Sequence, residues 1–231
     1  MKLISLKICP FVQRVVALLE AKQISYEIEY IDFNQTPAWF LDISPHLQVP
    51  VLSSDSGLAL FESEAIIEYL DEIVQPLEPN LSPEQRAIDR AWGYQASRLY
   101  LPQCSTLRSQ NSGLLNSRTD ELRDAFTKVE GILGKSPFYK GEHLSNPDVA
   151  WLPLLHRAEI IERYTGYDLI QGYPKMKAWQ ASFIESGLAE KSVPEDFETV
   201  FTGFYLSDKT YLGTGIDHAE DNTLVGSGCG G

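Results

Sequence analysis

The sequence is short of thiols, of positive charge and of long apolar runs. It has three cysteines, Cys9, Cys104 and Cys229, an odd number at wide spacings. That excludes a disulfide framework and a cysteine zinc site. Lys and Arg total 19 against 32 Asp and Glu, a net charge of -13. With no basic run, the chain has no general attraction for nucleic acid or anionic lipid. Neither nucleic acid nor membrane is therefore expected as a partner. No apolar stretch is long enough to span a bilayer. Met1-Lys2-Leu3-Ile4 could open a leader, but Lys7 interrupts the run and no small-residue cleavage site precedes Glu20. These absences read together as a cytoplasmic protein. In a reducing compartment, one well-placed cysteine is a candidate for chemistry. His46, His143, His156 and His218 are scattered, and no metal is expected.

What is present is an ordinary globular composition, 43% hydrophobic and 11% aromatic. Lys2 to Leu6 reads as a strand. Phe11 to Lys22 has helical periodicity through Val12, Val15, Val16, Leu18 and Leu19. Tyr26, Ile28 and Tyr30 alternate with glutamates as a half-buried strand. Pro37 to Asp42 reads as a short helix, and Val49 to Leu52 as a strand. The turn signal Asp55-Ser56-Gly57 leads to a strand at Leu58 to Phe61. Glu62 to Val74 is an amphipathic helix. Residues 1–76 thus read β-α-β-α-β-β-α. Pro76, Pro79 and Pro83 mark a linker. Residues 83–206 read as all helix, with helices from the Ser82 cap onward and at Arg118 to Leu133, Ser145 to Tyr164, Pro174 to Glu185 and Pro194 to Leu206. Residues 207–231, rich in Gly, Asp and Thr, read as a flexible tail.

Three features carry chemistry. Cys9 follows a strand and precedes a helix that opens on Pro10, a proline-tolerant position. Unpaired N–H groups and the positive end of the helix dipole favour a thiolate there. Arg14 adds positive potential unless it faces solvent. No second cysteine stands in Cys9-Pro10-Phe11-Val12, so a disulfide at Cys9 has to be resolved by an outside thiol, for which glutathione is the natural candidate. Pro50 opens a strand. If the Val49–Pro50 bond is cis, the Val49 backbone is exposed to an added peptide strand; a plain trans proline is the alternative. Glu62 and Ser63 start a helix and suit a zwitterionic amino-acid head group, although alone they read as a cap.

In combination these features resemble a known family. Lys7-Ile8-Cys9-Pro10-Phe11-Val12-Gln13-Arg14-Val15 is similar to the active-site stretch of the cysteine-type glutathione transferases, the omega, lambda and dehydroascorbate reductase classes. Pro37-Ala38-Trp39-Phe40, Val49-Pro50-Val51-Leu52 and Phe61-Glu62-Ser63-Glu64-Ala65-Ile66 follow in that family's order. Ser145-Asn146-Pro147-Asp148 resembles its helix-capping motif. The resemblance implies a thioredoxin-like domain followed by a helical-bundle domain, usually as a homodimer. It implies catalytic Cys9 forming a mixed disulfide with glutathione as co-substrate, Phe11 and Pro50 in the pocket, Val49 pairing by its backbone, and Glu62 and Ser63 on the γ-glutamyl end. Ser145 and Asp148 would be structural. Thiol–disulfide exchange, deglutathionylation or dehydroascorbate reduction then outrank conjugation, since a cysteine becomes covalently involved. Members that act as non-catalytic stress regulators form the alternative, but they typically lack the cysteine. One departure is Thr36, where omega members usually place a lysine that contacts glutathione. Tyr94, Arg98 and Tyr100 fall on a helix that often lines the acceptor pocket. Cys104 and His156 read as core.

Overall fold

In a computed structural model of the chain, residues 1–219 are described. The first part is β1 (Lys2–Ser5), α1 (Pro10–Ala21), β2 (Glu27–Tyr30), α2 (Ala38–Ile43), β3 (Val51–Ser53), β4 (Ala59–Phe61) and α3 (Ser63–Ile73). The sheet order is β2-β1-β3-β4. β1 runs parallel to β2 with Leu3 opposite Ile28, and antiparallel to β3 with Leu3 opposite Leu52. β4 closes the edge antiparallel to β3, with Val51 opposite Phe61. The β-α-β-α-β-β-α order is the one read from the sequence, and the arrangement is the thioredoxin-like one that the family resemblance implies.

The helical part comprises α4 (Pro83–Leu107), α5 (Ser112–Ile132), α6 (Asn146–Thr165), α7 (Pro174–Glu185), α8 (Leu188–Lys191), α9 (Phe197–Tyr205) and α10 (Tyr211–Thr214). Ser82 caps α4 by accepting from the Gln85 N–H, as its sequence indicates. At its centre lies α6, packed by α1, α4 and α7. Trp151, Leu152, Ile160 and Ile161 of α6 have no exposed surface. α1 packs against α3 of the first part and against α4, α6 and α8 of the bundle, with nine of its twelve residues buried, including Gln13 and Arg14. No helix among the described residues is long and apolar enough to cross a membrane.

The structure departs from the sequence reading in three places. α5 begins at Ser112, six residues before Arg118, because the Asn111 side chain accepts from the Leu114 N–H at 2.8 Å and caps it. The four-residue α8 was not expected. From 207, where a flexible tail was expected, the chain to 219 instead docks on the α4–α5 junction. The Tyr211 N–H donates to Ser109 O at 2.8 Å, the His218 N–H to Gln110 O at 2.9 Å, and the Ser112 N–H to Asp217 Oδ1 at 2.6 Å. These bonds fill backbone groups that a helix–helix junction leaves open. The rest of the expected tail, with Cys229, lies outside the described residues.

Candidate active site

Cys9 occupies the N-cap of α1 with an extended backbone (φ -77°, ψ 123°) and Pro10 as the first helical residue. Its side chain does not cap the helix. The sulfur lies 3.9 Å from Val49 O, and the residue is 3% exposed. Neither Cys9 nor Cys104 is in a disulfide. Arg14 does not face solvent: it is buried and its guanidinium pairs with Glu64 at 2.6 Å.

The Val49–Pro50 bond is cis, and the β3 ladder begins only at Val51. Glu62 has φ +66°, a conformation that a non-glycine residue rarely adopts. It holds the N-cap position of α3 without a side-chain capping bond, so its carboxylate is not used as a cap. Ser63 behind it is 7% exposed. The Phe11 ring meets Tyr100 edge-on, 5.0 Å between centroids.

A cavity of about 250 Å³ is lined by Cys9, Phe11, Val49, Pro50, Glu62 and Ser63 together. The sequence missed others on its wall: Ser44, His46 and Gln48 from the α2–β3 loop, Glu64 of α3, and Ser97 and Leu101 of α4. Ser97 and Leu101 are four residues apart on one face of α4, a spacing that could have identified them. The Ser97 hydroxyl donates to Glu64 at 2.6 Å. Of the three α4 residues singled out, Tyr94 and Arg98 are exposed. Tyr100 is fully buried, donates to Ala150 O at 2.5 Å, and is held protonated as burial raises its pKa. Thr36 is not on the cavity wall; its hydroxyl donates to Phe33 O at 3.0 Å. Among the described residues, no group of three or more His, Cys, Asp or Glu side chains could hold a metal ion.

Under the first turns of α1 lies a buried polar cluster that sequence reasoning did not assemble. Arg157 of α6 donates to Gln13 Oε1. Because an arginine only donates, the Gln13 oxygen must face it, and the amide nitrogen then faces His156 Nδ1 at 2.8 Å and Ser192 Oγ at 3.0 Å. His156 Nδ1 is therefore an acceptor and the ring is neutral. Burial, followed by the Arg157 charge, pushes its pKa from 6.5 down to about 3. The unfolded chain binds a proton at this ring below its ordinary pKa and the folded chain does not, so stability falls as pH drops between the two values. His156 is expected to remove about 2 kcal/mol of stability between roughly pH 7.5 and 5. Urea unfolding at both pH values should show a shallower loss for His156→Gln than for wild type; equal losses would refute this.

Two family models match the chain: the glutathione S-transferase N-terminal domain over residues 8–73, and the glutathione S-transferase C-terminal domain over 105–193. Glutathione S-transferase omega-1 of Sus scrofa is 30% identical over 185 residues, spanning 78% of this chain and 75% of that protein. Probable glutathione S-transferase DHAR1, cytosolic, of Oryza sativa subsp. japonica is 27% identical over 192 residues, spanning 81% and 85%. The crystal structure of rice GST1 in complex with glutathione is similar with a TM-score of 0.73 at 24% identity, covering 88% of this chain and 97% of that one.

Proposed function

The chain belongs to the glutathione S-transferase family, and from that premise we propose that it is a glutathione-dependent thiol transferase or reductase with Cys9 as its nucleophile. The observation that carries this is the position of Cys9, at once the N-cap of α1 and part of the wall of the cavity that Glu62, Ser63 and Val49 also line. A helix N-terminus favours the thiolate, and the thiolate is the form that attacks a disulfide.

Glutathione fits this cavity as co-substrate. Its γ-glutamyl ammonium meets the Glu62 carboxylate, and the adjacent carboxylate meets Ser63 at the N-terminus of α3. The Val49 backbone pairs with the central cysteine, while Phe11 and Pro50 shape the wall around the sulfur. The glycyl carboxylate needs a donor, and neither lysine nor arginine lines the cavity. His46 and Gln48 are the wall residues that take the place left by Thr36. Substrates are disulfides, glutathionylated thiols or oxidised small molecules such as dehydroascorbate. The protein works in the cytoplasm as a homodimer. Exposed Phe61, Ile73, Val74 and Ile88, around β4, α3 and the start of α4, offer apolar surface for a second copy.

Incubation with glutathione disulfide tests the chemistry. One glutathionyl group should appear on the peptide containing Cys9 by mass spectrometry, and added glutathione should remove it. Lack of an adduct, together with no retention on immobilised glutathione, would sink the proposal and favour a binding protein.

A further inference from the structure

Arg157 has no exposed surface, yet its partners are all neutral. Nη1 donates to Gln13 Oε1 and to Pro153 O, the latter at 3.1 Å, and Nη2 donates to Ile8 O at 3.1 Å. Nε has no hydrogen-bond partner. The Phe197 and Phe201 rings lie 5.5 and 5.9 Å from the guanidinium carbon. No carboxylate pairs with Arg157 among the described residues, whereas the other buried arginine, Arg14, has Glu64. A guanidinium does not shed its proton in a protein, and a buried charge without a counter-charge is costly. A fold that keeps this one has an anion for it to meet.

The Ile8 carbonyl that Arg157 grips belongs to the peptide group whose nitrogen is that of Cys9, an acid with no formal charge when protonated and an anion as thiolate. We propose that Arg157 is the positioning residue of Cys9: it fixes the Ile8–Cys9 peptide and supplies the positive charge against which the sulfur stands as thiolate. This rests on Cys9 being the nucleophile. In the reaction, the Cys9 thiolate attacks the glutathionyl sulfur of a mixed disulfide. The new S–S bond forms as the old one breaks, and the substrate thiolate leaves with the electron pair and takes a proton from water. A glutathione thiolate, its proton lost to water, then attacks the same glutathionyl sulfur. Glutathione disulfide departs and Cys9 leaves as thiolate. Arg157 favours that thiolate both as attacking and as leaving group.

The other charges around Cys9 are offset, neutral or more exposed. Tyr100 of α4 and His156 of α6 are neutral. Glu62 and Glu64 of α3 face the glutathione cavity, and Arg14 of α1 is paired with Glu64. Lys7, Lys191 and Glu195 line a second cavity on the β2 side of Cys9, where Lys7 pairs with Asp196 at 2.5 Å. Glu198 of α9 pairs with Arg163 at 2.8 Å.

The test is the pH profile of Cys9 alkylation by iodoacetamide, followed on its own peptide, in wild type, Arg157→Met and Arg157→Lys. Wild type should react with a midpoint below that of an ordinary thiol, about 8.5. Arg157→Met should move the midpoint up by about one pH unit or more, and Arg157→Lys should recover most of it, because a lost opposite charge acts on that scale. A merely structural role would leave the midpoint in place. Coincident profiles, or a wild-type midpoint near 8.5, overturn the proposal; the second needs no variant to fold. If wild type transfers thiols while the profiles coincide, Arg157 is not the positioning residue but Cys9 remains the nucleophile. If the profiles shift and no thiol is transferred, the pairing stands and the assigned activity falls.

Discussion

Replacing Cys9 by serine is expected to lower thiol transfer by on the order of a thousandfold or more, the scale on which loss of a nucleophile is felt. A serine hydroxyl does not ionise near neutrality, and its oxygen cannot form the mixed disulfide. The same change should leave stability intact or raise it slightly. Cys9 occupies an N-cap without a side-chain capping bond, and serine is among the preferred residues there. Activity and folding are thereby separated in one variant, which also preserves the side chain's size. Rates with glutathione and a small mixed disulfide, alongside thermal unfolding, decide the matter. Near wild-type turnover in Cys9→Ser would remove this residue from the mechanism.

The largest expected loss of stability lies far from the cavity. Asp148 has no exposed surface and collects four donors. They are the backbone N–H groups of Tyr139 and Ser145, each at 2.8 Å, the Trp179 indole at 2.6 Å and the Ser145 hydroxyl at 2.5 Å. Truncation to alanine strands these donors in the core, each unsatisfied group costing about 1–3 kcal/mol. Asp148→Ala is therefore expected to lose about 3–5 kcal/mol, a large fraction of an ordinary folding stability. Asp148→Asn keeps one accepting oxygen and should lose less. Urea unfolding measures both. A loss below about 1 kcal/mol in Asp148→Ala would show that water or a shifted loop replaces the carboxylate.

Much of this site was legible in the sequence because its signals are local. A cysteine between a strand and Pro10, a proline opening β3, and Glu62-Ser63 at a helix start each sit within a few residues of the structure they specify. Ser145 and Asp148 likewise announce a helix start within four residues. What could not be read was assembled across the chain. Gln13 meets His156 and Ser192 over separations of 143 and 179 residues, and no spacing rule connects them. His156 was correctly read as a core residue, but its partners were not. Where Arg14 faces was left open for a related reason. An arginine in a periodic helix invites a solvent-facing placement, yet α1 has α3 of the first part against it and α4, α6 and α8 of the bundle as well. The docking of residues 207–219 runs largely through backbone groups, which leave little trace in side-chain pattern.

That double-sided burial of α1 bears on how such a protein can be altered. Its first 76 residues have the element order of a self-contained cassette, but the cassette is not portable. Gln13 and Ile8 take hydrogen bonds from Arg157 of the second half. A transplant without α6 would carry the sulfur and leave its surroundings behind. The α2–β3 loop, where Pro45, His46 and Gln48 are exposed on the cavity wall, would by contrast travel with the first half.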